Sequence, residues 1–207
     1  MIKIRSIILD FGGVISKPQN KNFIDKVYRI LKQEPSNFMT VYERYRKNYD
    51  SGDYSGEDYW SKILEHYRYP HDKTIIDELI REDTKSWTSL NPEMNQFISN
   101  TRKQIHNLSI ISNMPEDILD YIQKNFHWLE SFDEHIWSCE VGVVKPDQGI
   151  YEYCLRNIGI PASECLFVDD SLNNVDGAIR SGLNAIHFRS FSQFAEELEG
   201  NYCLSDV

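Results

Sequence analysis

The stretch Ile7-Ile8-Leu9-Asp10-Phe11-Gly12-Gly13-Val14 decides how the rest of the chain is read. The run from Ser6 to Leu9 is short, apolar and lacks polar alternation, so it predicts a strand buried on both faces, as in parallel sheets. It ends in a carboxylate followed by two glycines. In an open α/β sheet, ligands bind beyond the carboxyl ends of the strands, near the point where strand order reverses. Asp10 is poorly sited there for packing and well sited for chemistry. Gly12 and Gly13 let the backbone approach a ligand with its N–H groups turned inward. Alone, the same pattern also describes an ordinary Asp-Gly turn.

Working outward, similar runs at Leu108 to Ile111, Cys165 to Val168 and Ala185 to Phe188 predict three more buried strands, with a weaker one at His135 to Ser138. Helical patterns lie between them. Asn91-Pro92-Glu93 supplies an N-cap, a proline at the first helical position and an acid in the first turn, and Pro115-Glu116-Asp117 and Pro146-Asp147 are expected to open helices similarly. Gly159 and Gly182 follow helical stretches where a left-handed cap is wanted. This alternation predicts an α/β fold, a doubly wound parallel sheet.

Between Ser16 and Trp87 the alternation stops. Aromatic and aliphatic residues recur at helical spacing: Phe23, Val27, Ile30 and Leu31, then Phe38, Val41, Tyr42 and Tyr45, then Tyr59, Trp60, Ile63, Leu64 and Tyr67. Asp50-Ser51-Gly52-Asp53 reads as a turn. A small helical bundle over residues 16–88 is therefore expected as an insertion into an α/β core of residues 1–15 and 89–207. Its aromatic stripes are read as bundle core.

Hydrophobic residues make up 41% and charged residues 26% of the 207, a globular composition. The net charge of −10 argues against a nucleic-acid or anionic-membrane partner, both of which need clustered Lys and Arg. It does not exclude a small phosphate ester met by local cations and a metal. The four cysteines, Cys139, Cys154, Cys165 and Cys203, form no CxxC pair and read as small buried residues. The apolar run at the N-terminus ends in Asp10, too soon for a signal segment, so a cytoplasmic protein is expected. Oligomeric state is not legible.

Three more motifs fall at predicted strand ends. Asp169-Asp170 places two carboxylates side by side, which raises their pKa values unless a cation is near. Mg²⁺ takes one or two carboxylates together with water and phosphate, a demand that Asp10 and Asp170 meet if their strands are neighbours. Lys145-Pro146 offers an ammonium beside a helix start, and Ser112-Asn113 a hydroxyl and an amide. Each of the last two is unremarkable alone.

The order of the four motifs resembles that of the haloacid dehalogenase superfamily of hydrolases over essentially the whole chain. Ile7 to Ile15 resembles its first motif, Ile110 to Asn113 its second, Glu140 to Asp147 its third and Phe167 to Ala178 its fourth, and the bundle falls where its small helical cap belongs. The resemblance implies a Mg²⁺-dependent phosphatase, and a small phosphorylated metabolite is the default substrate, a hexose or other sugar phosphate being one candidate. Asp10 would attack phosphorus and form an aspartyl-phosphate. Mg²⁺ would be held by Asp10, the Gly12 carbonyl and Asp170. Ser112, Asn113, Lys145 and the backbone N–H groups of Phe11 and Gly13 would bind the phosphoryl oxygens, making Asp10 and Lys145 the catalytic pair. Asp169 would stand behind the metal ligands, and Asn174 would orient Asp170 or water.

One position departs from the pattern. Most phosphatases of this superfamily carry an acid two residues after the nucleophile, and here that residue is Gly12. Three readings follow: a phosphatase that draws its proton from elsewhere, a weakly active or non-catalytic phosphate-binding protein, or a 2-haloacid dehalogenase. The last leaves the metal-type pair Asp169-Asp170 without a use. Arg44, Arg46, Asp50 and Tyr54, near the bundle's central turn, are the candidates for contact with the organic part of a substrate. The chain crossings at Ser16–Asn20 and Trp87–Asn91 are the expected hinge.

Overall fold

Five short apolar runs pair side by side and all in parallel, and this sheet organises the chain. The computed structural model describes residues 1–32, 34 and 36–205. In chain order the elements are β1 (Ile2–Ile4), β2 (Ser6–Leu9), α1 (Phe23–Leu31), α2 (Phe38–Asp50), α3 (Gly56–His66), α4 (Lys73–Trp87), α5 (Pro92–Thr101), β3 (Asn107–Ser112), α6 (Glu116–Asn125), β4 (Glu134–Trp137), α7 (Ser138–Val141), α8 (Gln148–Ile158), β5 (Cys165–Asp169), α9 (Leu172–Arg180), β6 (Asn184–His187), α10 (Phe191–Asn201) and β7 (Tyr202–Leu204). The main sheet runs β4-β3-β2-β5-β6, with β2 at its centre. Every residue of β2, β3 and β5 is buried, which is why these strands read as continuous apolar runs. Leu9 lies opposite Ile110 on one side and Val168 on the other, so the segments that follow β2, β3 and β5 emerge at one edge. The direction of winding reverses at β2, and Asp10 follows it directly. The α/β expectation is met.

Two apolar clusters fill the two faces of the sheet. Ile7, Leu9, Leu108, Ile110, Leu166 and Val168 point to one, and Ile8, Ile111, Cys165 and Phe167 to the other. α1 to α4 pack around a separate cluster. Phe23, Val27 and Leu31 on α1 meet Tyr42 on α2, Tyr59, Trp60 and Ile63 on α3, and Leu79 on α4. Its rings pack both edge to face, as between Phe23 and Tyr42 at 5.6 Å, and stacked, as between Tyr49 and Tyr59 at 4.4 Å. Ser55 and Asp58 close a reciprocal capping box at the start of α3.

Several boundaries differ from the sequence reading. β4 and β6 each begin one residue earlier than expected. A small ribbon of β1 paired in parallel with β7 was not anticipated, because each strand has three residues and is partly exposed. Pro146 does not open a helix. The Lys145–Pro146 bond is cis, and α8 starts at Gln148, where the Asp147 carboxylate accepts from Gly149 N–H at 3.0 Å. Asp147 supplies a side-chain acceptor for the orphan amides, which proline lacks. Asn91 caps α5 as expected, and Gly159 ends α8 at φ 64°. Among the described residues no helix is long and apolar enough to cross a membrane.

Candidate active site

The turn after β2 begins with Asp10, whose Oδ1 accepts from Phe11 N–H at 2.7 Å. Gly13 follows at φ 74°, a left-handed conformation, and a Cβ there would run into the Asp170 carboxylate. The glycine thus lets the β2 turn and the β5 end close on each other. Oxygens of Asp10, Asp169 and Asp170 come within 4.8 Å of one another. Asp10 and Asp169 are buried, and Asp170 is exposed.

Lys145 is buried between the first two. Its Nζ lies 2.7 Å from Asp10 Oδ1 and 2.6 Å from Asp169 Oδ2, and donates to the Ile111 carbonyl at 3.1 Å. Three protons meet three acceptors. Lys145 therefore holds Asp10 in place, and its three protons are engaged by protein acceptors in this arrangement. Asn113 is similarly engaged. Its Nδ2 donates to the Lys145 carbonyl at 3.0 Å and its Oδ1 accepts from Lys145 N–H at 2.7 Å, so it fixes the lysine backbone. Phe11 N–H, one of the amides expected to meet phosphate, donates to Asp10 Oδ1 in this arrangement. Ser112 lines the cavity.

Asn174 orients Asp169 and not Asp170, a correction to the expectation. Its Nδ2 donates to both Asp169 oxygens, at 3.0 and 3.1 Å, and Ser171 N–H adds a bond at 2.8 Å. Successive residues leave the strand in opposite directions, so Asp169 turns inward to Lys145 and Asn174 while Asp170 faces the cavity.

Burial pushes the Asp10 carboxyl up to about 8, with Asp169 and Asp170 adding to the rise and Lys145 opposing it. Burial also works against the Lys145 charge, but Asp10 and Asp169 outweigh it and hold the ammonium above the usual lysine range. One ammonium among three carboxylates leaves the cluster short of positive charge. A hard divalent cation fits this deficit: its donors would be carboxylate oxygens, and Asp169 is already committed, which leaves Asp10 and Asp170 for the ion.

A cavity of about 320 Å³ opens over the cluster, walled on the far side by Tyr42, Glu43, Arg46 and Asp50 of α2 and Trp87 of α4. Arg46 and Asp50 are the two predicted bundle residues that reach it. Arg44 is exposed elsewhere, and Tyr54 packs against the bundle core. Tyr42, Glu43 and Trp87 were not anticipated, since only the packing of α2 and α4 over the sheet brings them there. Trp87 also lies over Gly12. A Cβ on Gly12 would rest against the indole at 3.6 Å, an ordinary van der Waals contact, so the ring bounds the space above this residue without excluding a side chain.

The bundle contacts the core on both sides of this cavity. Tyr49 OH donates to Asp117 at 2.8 Å, Ser138 Oγ donates to the Asp50 carbonyl, and Gly52 fits against the Cys139 backbone at φ 81°. The two chain crossings run side by side: Lys17 N–H donates to Ser89 O at 2.7 Å, Asn91 N–H to Ile15 O at 2.9 Å, and Ser16 and Leu90 form an antiparallel bridge.

The haloacid dehalogenase-like hydrolase family model matches residues 4–182, covering all four strand-end motifs and the inserted bundle. The chain belongs to that family. Among curated family relatives, a drimenol cyclase of Aspergillus calidoustus is 25% identical over 94% of this chain, and a sesquiterpene phosphatase of Aspergillus oryzae is 32% identical over 38% of it. The chain spans only 36% and 40% of those two proteins. A solved haloacid dehalogenase family enzyme of Bacteroides thetaiotaomicron, in complex with magnesium and inorganic phosphate, superposes with a TM-score of 0.74 at 17% identity, covering 92% of this chain and 98% of that one.

Proposed function

We propose that this chain is a Mg²⁺-dependent phosphatase that hydrolyses a small phosphorylated metabolite, with Asp10 as nucleophile. The observation that carries the reading is the Asp10, Asp169 and Asp170 cluster around Lys145, set at the strand ends beneath a covered cavity. Mg²⁺, held by Asp10, Asp170 and the Gly12 carbonyl, would supply the positive charge that lets an anionic nucleophile approach an anionic phosphate. Lys145 holds Asp10 in register and keeps one of its oxygens occupied. The other oxygen attacks phosphorus as the ester P–O bond breaks, the departing oxygen takes its proton from a water molecule, and water then hydrolyses the aspartyl-phosphate to free Asp10 and inorganic phosphate. Ser112, Gly13 N–H and, on exchanging their present bonds, Phe11 N–H, Asn113 and Lys145 would bind the phosphoryl oxygens, and α1 to α4 act as the cap that excludes bulk water. The phosphatase name of the Aspergillus oryzae relative and the magnesium and phosphate in the Bacteroides structure support the reading.

A second reading, a phosphate-ligand binder of little activity, draws on Gly12, which brings no acid to the leaving oxygen. A screen of several dozen phosphorylated metabolites, with Mg²⁺ and with EDTA, separates the two. Turnover that needs Mg²⁺ and disappears in Asp10→Asn supports the phosphatase. Turnover retained in Asp10→Asn refutes Asp10 as nucleophile, and binding without turnover favours the second reading.

A further inference from the structure

Six charged side chains line the cavity: Asp10, Lys145 and Asp170 at the strand ends, and Glu43, Arg46 and Asp50 on α2. Both cations are committed to carboxylates. Lys145 bridges Asp10 and Asp169. Arg46 donates through Nε to Asp50 Oδ1 at 2.8 Å and through Nη1 to Tyr42 OH at 2.7 Å, and Nη1 lies 3.3 Å from Asp83 Oδ2. Its guanidinium is held near three rings, Tyr42, Tyr49 and Trp87, at 5.3 to 5.8 Å, so it is not free to swing toward a ligand. Around Arg46 stand Asp50, Asp83 and Glu43, three carboxylates to one cation. Asp83 is 1% exposed and Asp50 8% exposed, so water does little to screen them.

We infer, on the reading of this chain as a phosphatase, that the α2 wall is a specificity determinant that excludes phosphate esters carrying a second negative charge. Glu43 and Asp50 are its acting residues. The phosphate end of the cavity is designed for one anion. At the other end a carboxylate or second phosphate would face uncompensated carboxylates and find no cation of its own. A hydroxyl or an ammonium would instead donate to Asp50 or Glu43. Lys47, one turn along α2 from Glu43, does not supply that cation. It lines an adjoining surface cleft together with Glu43 and Asp147, and not the cavity itself. The volume of about 320 Å³ sets the size of the alcohol part at the small end of ligand sites.

Matched substrate pairs that differ by one carboxylate test this: glycerol phosphate against phosphoglycerate, and phosphoethanolamine against phosphoserine, with para-nitrophenyl phosphate as the common reference. In the wild type the member without the carboxylate should have a kcat/KM at least about tenfold higher, equivalent to about 1.4 kcal/mol. Glu43→Lys, at an exposed position that leaves the bundle core intact, should narrow that ratio by raising kcat/KM for the carboxylate-bearing members. Asp50→Asn should narrow it in the same direction. Equal or reversed preference in the wild type overturns the inference, and so does a ratio unchanged in Glu43→Lys. If the wild type fails to turn over even para-nitrophenyl phosphate with Mg²⁺, the phosphatase reading itself falls, and the substrate class falls with it.

Discussion

Removing the Lys145 ammonium tests the electrostatics of the site most directly. Lys145 is 3% exposed and contacts Asp10 and Asp169 at 2.7 and 2.6 Å. At an effective dielectric of about 20, unit charges this close attract by roughly 6 kcal/mol. Desolvation of the ions offsets much of that. Breaking a buried pair by removing one partner nevertheless costs about 3–5 kcal/mol, because the remaining charge is stranded. Lys145→Met keeps much of the apolar stem and leaves two buried carboxylates facing each other. In EDTA the variant should lose about 3–5 kcal/mol, or roughly 6–20 °C in Tm at about 2–4 °C per kcal/mol for a chain of this size. Its deficit should shrink as pH falls, since Asp10, already pushed up to about 8, escapes by taking a proton. Mg²⁺ should stabilise the variant more than the wild type by supplying the missing charge. Urea unfolding followed by circular dichroism, with EDTA and with Mg²⁺, measures both effects. A loss below about 1 kcal/mol in EDTA, or equal Mg²⁺ stabilisation in the two proteins, would refute this account.

Asp169→Ala should destabilise the metal-free fold, because it strands Lys145 and Asn174, whereas Asp170→Ala should leave the metal-free melt nearly unchanged and remove most of the Mg²⁺-induced rise in Tm; the reverse pattern in calorimetry would exchange their roles. Burial pushes Asp50 up to about 6 against the opposing pull of Arg46, so between about pH 4 and 6 the folded state binds a proton that the unfolded state does not. Stability from this group is therefore gained as pH falls through that window, by up to about 1.4 kcal/mol per pH unit, and Asp50→Asn should flatten the slope in urea titrations. With Gly12 supplying no acid, aryl phosphates should outpace simple alkyl phosphates by about 10²–10⁴-fold, and stopped-flow should show a burst of released phenol. Nearly equal rates without a burst would mean that another group supplies the proton.

The buried strands were legible because a strand covered on both faces has no polar alternation to hide its limits, as in Ser6 to Leu9 and Cys165 to Val168. The β1–β7 ribbon carried no such signal: Ile2 is half exposed and its partner segment follows α10 without a break. The motifs located the site, but pairwise partners lay beyond them. Whether Asn174 bonds Asp169 or Asp170 depends on which carboxylate the end of β5 turns inward, a one-residue alternation that spacing alone leaves open. Lys145 and Asn113 were recognised as site residues, yet their bonds to Asp10 and to the lysine backbone follow from the approach of separate strand ends. Trp87 reads in sequence only as the point where the chain returns from the bundle to the core. Its place over Gly12 emerges only when α4 settles on the β2 turn.

The side-by-side chain crossings at Ser16 and Leu90 bear on how such a molecule can be assembled and altered. An insertion that leaves and returns at neighbouring points leaves strand pairing in the sheet undisturbed and meets the core at a few contacts such as Tyr49 to Asp117 and Gly52 against Cys139, and loop-closure entropy grows only slowly with the length enclosed. α1 to α4 carry their own apolar cluster, so their internal packing can drift while β2, β3 and β5 stay in register. The bundle is in that sense an exchangeable module plugged into one socket. If the proposed cap role holds, replacing the bundle's inner wall should change ligand preference while the strand-end carboxylates stay in place.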